Sequence, residues 1–144
     1  MSVQEALNSV NRPNRTLSET LLPGPTGESN VLTTHPRGTV LCLGPGREAA
    51  RQQAALAKEA GCAVVEAPDL PADALSSLTG FDAVISWGNI RTRTEYRRTL
   101  AERDGPILPL ISEVDPVPRL TLERHLCIDT TAAGGNAALL AAAE

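Results

Sequence analysis

The sequence predicts an α/β fold: a Rossmann-like, mainly parallel sheet flanked by helices, with a C-terminal strand or hairpin extension. Three observations carry that expectation. Short apolar runs at residues 39–43, 62–66, 82–87 and 107–111 alternate with stretches of strong helix formers. Glycine-rich punctuation falls between them, at Gly44-Pro45-Gly46, Gly61 and Asp104-Gly105. The apolar runs are near-continuous rather than alternating, as expected of strands covered on both faces.

Taken in order, residues 1–22 are polar and read as a linker or a piece of a preceding module. Residues 23–30, Pro-Gly-Pro-Thr-Gly-Glu-Ser-Asn, are dense in turn formers and exclude a regular element. A short strand over 31–37 stops at Pro36. The compact run 39–43 is the first strand of the parallel sheet. Residues 47–60 are almost wholly good helix formers, and Gly61 fits the position just past a helix end. Residues 62–66 form the next strand. Residues 71–78 form a short helix with Pro71 at its first position. A strand over 82–87 and a charged helix over 91–103 follow. The strand over 107–111 contains Pro109, which points to a sheet edge or a bulge. Residues 113–119 form a loop, and 120–131 a last strand or hairpin arm. The expected core is Val40, Leu41, Leu43, Leu56, Val64, Val65, Val84, Ile85, Ile107, Leu108 and Leu110. The expected division is a linker at 1–30, the α/β domain at 31–122 and a C-terminal docking motif at 123–144.

Composition narrows the function classes. The 144-residue chain is 42% hydrophobic yet only 2% aromatic, so Val, Leu, Ile and Ala must fill the core. A formal charge of −4 argues against nucleic acid as the main partner, because phosphate binding wants a basic face. No run approaches the roughly 18 apolar residues of a membrane span, and no secretory apolar segment opens the chain. The cysteines Cys42, Cys62 and Cys127 are odd in number and lack CxxC spacing, which favours reduced, buried thiols in a cytoplasmic protein.

One nucleotide signal is present. Gly44-Pro-Gly46-Arg-Glu-Ala49 follows a strand and opens a helix, and Glu66 ends the next strand. That is the layout of a dinucleotide fingerprint, with Gly44 and Gly46 at the pyrophosphate and Glu66 at the ribose. Pro45 removes one backbone donor from the loop, and Glu48 places a carboxylate in the first helical turn. An NAD-binding module is therefore the alternative reading, and a glycine turn without cofactor the favoured one.

Catalytic groups are sparse. Only His35 and His125 could act as bases, and neither they nor the cysteines have metal-ligand spacing. Cys127 reads as a strand side chain; a small enzyme built on Cys127 and His125 would need the two adjacent in one cleft. Arg91, Arg93, Arg97, Arg98 and Arg103 read as a solvated helix face partly balanced by Glu95 and Glu102.

The end of the chain is different. Leu126, Ile128 and Thr130 alternate as in a strand, and Thr131-Ala132-Ala133-Gly134-Gly135-Asn136 has only small side chains. Small residues and a Gly-Gly pair let backbone lie close to another surface.

Two segments, Pro23-Gly-Pro-Thr-Gly-Glu-Ser-Asn30 and Thr130-Thr-Ala-Ala-Gly-Gly-Asn-Ala137, resemble the bracketing motifs of the C-terminal region of the proline utilization A family. The intervening Pro36-Arg-Gly-Thr-Val-Leu-Cys-Leu43, Phe81-Asp-Ala-Val-Ile85, Ala101-Glu-Arg-Asp-Gly105 and Leu122-Glu-Arg124 are similar too, so the resemblance spans residues 21–140. Asp129 departs from the asparagine usual before the double threonine. The resemblance implies a bacterial, bifunctional parent that joins an FAD-dependent proline dehydrogenase to an NAD-dependent L-glutamate γ-semialdehyde dehydrogenase. It implies for this region an aldehyde-dehydrogenase-superfamily-like domain without its own catalytic residues, metal or cofactor. Such a domain covers the cavity through which pyrroline-5-carboxylate passes. Its partner would be the aldehyde dehydrogenase module, met through Arg124, Asp129, Thr130, Thr131, Ala132, Ala133, Gly134, Gly135 and Asn136. The chain then reads as a fragment of a larger polypeptide or a separately encoded remnant, with residues 131–140 expected to be exposed or poorly ordered when it stands alone.

Overall fold

The structure is a computed structural model that describes residues 1–130. The elements are α1 (Val3–Ser9), β1 (Ser18–Leu22), β2 (Glu28–Pro36), β3 (Thr39–Cys42), α2 (Gly46–Glu59), β4 (Ala63–Glu66), β5 (Ala83–Ile85), α3 (Ile90–Ala101), β6 (Leu110–Ile111) and β7 (Thr121–Asp129). Short 3-10 turns occupy Ala72–Ser76 and Val117–Arg119. The chain divides into two compact units, one of Met1–Asn14 with Pro36–Thr121, the other of Arg15–His35 with the segment that begins at Leu122.

The first unit carries the α/β fold. Its sheet has the order β4-β3-β5-β6, and every neighbouring pair is parallel. The chain runs outward from β3 through α2 to β4, then returns across β3 to β5 and on through α3 to β6. The direction of winding therefore reverses between β3 and β5, the switch point of a doubly wound sheet. Both faces are covered, so successive strand residues serve different cores. Leu41, Leu43 and Val84 join Leu75, Phe81, Tyr96 and Leu100 on one face. Val40, Cys42, Ala83 and Ile85 meet Ala50, Ala54 and Ala57 of α2 on the other. The alanine stripe lets α2 lie close to the strands, which is how a core with one Phe, one Trp and one Tyr can still be dense.

Of the expected core, Val40, Leu41, Leu43, Val65, Val84, Ile85 and Leu110 are buried, while Val64 and Leu108 are partly buried neighbours of the core. Leu56 is only half-buried. Ile107 is 96% exposed and corrects the sequence reading. The strand begins only at Leu110, since Pro106 and Pro109 supply no N–H to the ladder, although Pro109 O still accepts from the Val84 N–H at 3.1 Å; β6 is an edge as Pro109 suggested.

Three further corrections concern the N-terminal third and the segment after β4. Residues 3–9 are helical, not linker. Ser2 accepts from the Glu5 N–H and the Glu5 carboxylate accepts from the Ser2 N–H, a capping box that starts α1. Leu7 then enters the main core, and the Gln4 side chain both donates to Thr79 O and accepts from Thr79 N. Residues 18–22 form β1, and β2 begins at Glu28, inside the stretch read as irregular. The short helix expected over 71–78 is a 3-10 helix over Ala72–Ser76, with Pro71 at its N-cap.

The second unit is a three-stranded sheet of order β1-β2-β7. β1 and β2 are antiparallel, with Leu21 opposite Val31 and Glu19 opposite Thr33. Contacts from Thr33 Oγ1 to Arg124 O and from Thr130 N to Gly27 O show that β7 runs opposite to β2.

The β3–α2 turn yields a stability prediction. Gln53 is fully buried, and its carboxamide accepts from the Gly44 N–H at 3.0 Å and donates to Gly44 O at 2.9 Å. Gln53→Leu keeps the volume but removes both partners. We expect a loss of about 2–4 kcal/mol, read as a lower urea midpoint with an unchanged slope. A midpoint equal to wild type would show that the turn does not need the carboxamide.

Candidate functional site

Two places merit chemical scrutiny: the glycine turn at the switch point in the first unit, and the β7 strand of the second.

The glycine turn is built as the fingerprint requires but is already filled. Gly44 has φ +88, and a Cβ on it would lie 2.5 Å from Gly46 N, so only glycine fits. Gly46, φ +73, opens α2 directly behind Pro45. Its N–H, the donor that should face a phosphate, instead donates to Asp69 Oδ1 at 3.1 Å. Asp69 is fixed there from both sides: its N–H donates to Leu43 O at 3.0 Å, and its backbone holds φ +59, a conformation Asp tolerates better than most residues. Gly44 O is engaged by Gln53 and by the Trp87 N–H at 2.8 Å. Glu66 is exposed at the end of β4, as the ribose position requires. The turn thus has the shape of a pyrophosphate loop with a carboxylate seated where negative charge would bind. Asp69 is the residue that sequence reasoning missed. Its position after Pro68 in an irregular segment gives no local sign that it reaches back to Gly46.

The candidate nucleophiles are not activated. Burial, ahead of the nearby Glu66 charge, pushes the Cys42 thiol up to about 12. Burial likewise raises Cys62. Cys127 is exposed, against the expectation of a buried thiol. Its thiol is raised too, first by desolvation, then by the Glu28 carboxylate that bonds it and by Asp129. His125 and Cys127 share a sheet face, two residues apart, but His125 Nε2 pairs with Asn30 Oδ1 at 3.0 Å. His35 Nε2 pairs with Thr33 Oγ1 at 2.9 Å. No Cys–His hydrogen bond forms among the described residues, so the base–nucleophile pairing that a Cys127 enzyme needs is not made. Also among the described residues, no group of three or more His, Cys, Asp or Glu could hold a metal, and no helix is long and apolar enough to cross a membrane.

β7 and Thr130 just after it are where those of the expected docking residues that can be placed lie. Thr130 donates from its N and its Oγ1 to Gly27 O, at 2.8 and 2.7 Å. Asp129 ends the strand. Arg124, with Glu19, Val31, Thr33, His35, His125 and Leu126, lines a shallow groove on one face of the small sheet. That face is open: Leu21 is 76%, Leu126 59% and Ile128 50% exposed. Thr131, Ala132, Ala133, Gly134, Gly135 and Asn136 lie outside the described residues.

Comparison with known proteins agrees with the motifs. No family model matches the chain. The bifunctional protein PutA of Escherichia coli K12 is 33% identical over 147 residues, spanning 85% of this chain. The Klebsiella aerogenes protein of the same name is 33% identical over 141 residues, spanning 81%. The one from Salmonella typhimurium is 32% identical over 147 residues, spanning 85%. Each alignment covers 11% of the relative's own length. Among solved structures, a bifunctional proline utilization A (PutA) protein is 29% identical with a TM-score of 0.47, over 65% of this chain and 13% of that one. A Bradyrhizobium japonicum proline utilization A mutant is 30% identical with a TM-score of 0.46 over the same shares. The chain is a region related to proline utilization A.

The raised Cys127 thiol gives a prediction. At pH 7.5 its alkylation by iodoacetamide, followed by mass spectrometry, is expected to be slower than that of free cysteine despite full exposure. Glu28→Gln removes a charge that disfavours the thiolate and should speed it. A rate above that of free cysteine in the wild-type chain would instead mark an activated thiol.

Proposed function

We infer that this chain is the non-catalytic C-terminal domain of a bifunctional proline-catabolic enzyme, covering the cavity that carries pyrroline-5-carboxylate and docking on the aldehyde dehydrogenase module. The parent would couple FAD-dependent proline oxidation to NAD-dependent glutamate γ-semialdehyde oxidation, in the cytoplasm, and this domain would hold neither cofactor. The docking motif from residue 123 onward belongs to the same reading.

The observation that carries it is the open face of β7. An edge strand that exposes leucine and isoleucine on one face is an association liability and is normally covered. Here Leu126, Ile128 and Leu21 share one face of the small sheet, beside Arg124. The chain's relation to bifunctional PutA proteins supplies a covering partner of the right kind: the remainder of such a polypeptide. The absence of an activated nucleophile among Cys42, Cys62 and Cys127 supports a structural role. Asp69 at the glycine turn weighs against the NAD-binding alternative.

Two measurements test this. The chain alone, given pyrroline-5-carboxylate and NAD, should produce no NADH above background; turnover would sink the reading. Mixed with the dehydrogenase module of a parent enzyme, it should bind, and Leu126→Asp with Ile128→Asp should weaken binding at least tenfold, since two apolar anchors worth about 1–2 kcal/mol each are lost. In the assembled parent, the same pair, or Gly134→Val with Gly135→Val, should lengthen the lag before NADH appears. An unchanged lag and unchanged affinity would remove β7 and the residues after it from the docking surface.

A further inference from the structure

The switch point holds a crevice that the docking role does not use. It lies beyond the carboxyl ends of β3 and β5, where doubly wound sheets bind their ligands. Pro45 walls it on one side, Trp87 and Asn89 on the other, with Asp69, Ser86 and Tyr96 between. Its volume is about 210 Å³. A cavity of roughly 150 Å³ holds benzene, so this one suits a molecule somewhat larger than benzene and is far too small for a dinucleotide.

The polar groups converge with opposite preferences. At one end stands the Asp69 carboxylate, anchored by the Gly46 N–H. Among the described residues, the other carboxylate at the rim is Glu95, which pairs with Arg91 at 3.6 Å, and no arginine or lysine lines the crevice. The Tyr96 hydroxyl, held to Leu70 O at 2.6 Å, is raised by burial and then by Asp69 and Glu95, so the negative field reaches across the space. At the other end Ser86 is 1% exposed. Its Oγ accepts from the Gly88 N–H at 3.3 Å, and its own proton finds no acceptor among the described residues. Just beyond, α3 begins: Asn89 Oδ1 takes the Thr92 N–H, and the dipole of the 12-residue helix favours an anion there.

We propose that this crevice binds a small zwitterionic amino acid, its ammonium on Asp69 and its carboxylate toward the Ser86 hydroxyl and the start of α3. The charge pattern is the reverse of a nucleotide site. Where a phosphate would meet the first helix, the protein supplies its own anion and so selects a cationic group. The inference rests on the first unit alone and stands or falls separately from the docking role.

The test is an amide-resolved NMR titration of the chain with L-alanine, with propanoate as the same skeleton without ammonium, and with NAD. L-Alanine is expected to shift the amides of Asp69 and of Ser86, Trp87, Gly88 and Asn89, with a dissociation constant on the order of millimolar. Propanoate should bind at least tenfold more weakly. Asp69→Asn keeps an acceptor for the Gly46 N–H and tolerates the same backbone, yet should lower L-alanine affinity at least tenfold. Ser86→Ala should lower it several-fold. The proposal is overturned if propanoate or NAD binds these amides as tightly as L-alanine, if Asp69→Asn binds like wild type with its spectrum otherwise intact, or if about 100 mM L-alanine, well above a millimolar constant, leaves the amides in place.

Discussion

The first unit depends on the grip of Gln53 on Gly44. A strand that ends in a buried turn leaves backbone donors and acceptors in a low-dielectric interior, where an unmet group costs about 1–3 kcal/mol. Gln53 meets both Gly44 groups at once, from a helix that itself packs through alanines. Because the turn is held, Gly44 O can also receive the Trp87 N–H, which ties the end of β5 to the end of β3. Leu43 O likewise receives the Asp69 N–H, which brings that carboxylate onto Gly46. The geometry of the switch point, and the filling of its phosphate position, thus follow from one buried side chain.

Much of that unit is legible in the residue order. The apolar runs and the alanine-rich helix specify period, length and two-sided burial together, so β3, α2, β4, β5 and α3 appear where the sequence predicts them. The misses share a physical cause: local pattern is weak where tertiary contacts decide. The helix α1 is only seven residues long, too short to show a periodic face, though Ser2 and Glu5 carry its capping signal. β1 is exposed along its whole length and β2 is mostly half-buried; neither carries an apolar run, and their pairing, Leu21 to Val31, becomes visible only across the turn-rich 23–27. Ile107 looks like core because it is isoleucine in an apolar stretch, but two prolines deny it a ladder position.

The candidate site divides the same way. Gly44 and Gly46 can be read as a turn with positive φ, and both adopt it. What they hold cannot be read, because Asp69 lies 23 positions further on and reaches Gly46 through a left-handed residue in an irregular segment. A sequence motif records which backbone shapes are available. The group that fills the shape is a tertiary fact, and here it reverses the sign of the charge the motif normally attracts.

Among the described residues the three thiols are held in their protonated form. Activation of a thiol needs nearby positive charge or a paired base; Cys42 and Cys62 have burial instead, and Cys127 has Glu28 and Asp129. Each environment stabilises the protonated form, and the buried Cys42 and Cys62 serve as small apolar fillers. The polar investment goes elsewhere, into Gln53 at the turn, the Ser2–Glu5 cap and the Gln4–Thr79 pair, all of which fix backbone rather than face a substrate. In the second unit the opposite holds: β7 leaves Leu126 and Ile128 in water and ties its end to Gly27 through Thr130. Gln53 at a buried turn and the outward-facing Leu126 and Ile128 of β7 thus divide the side chains between holding backbone and facing outward.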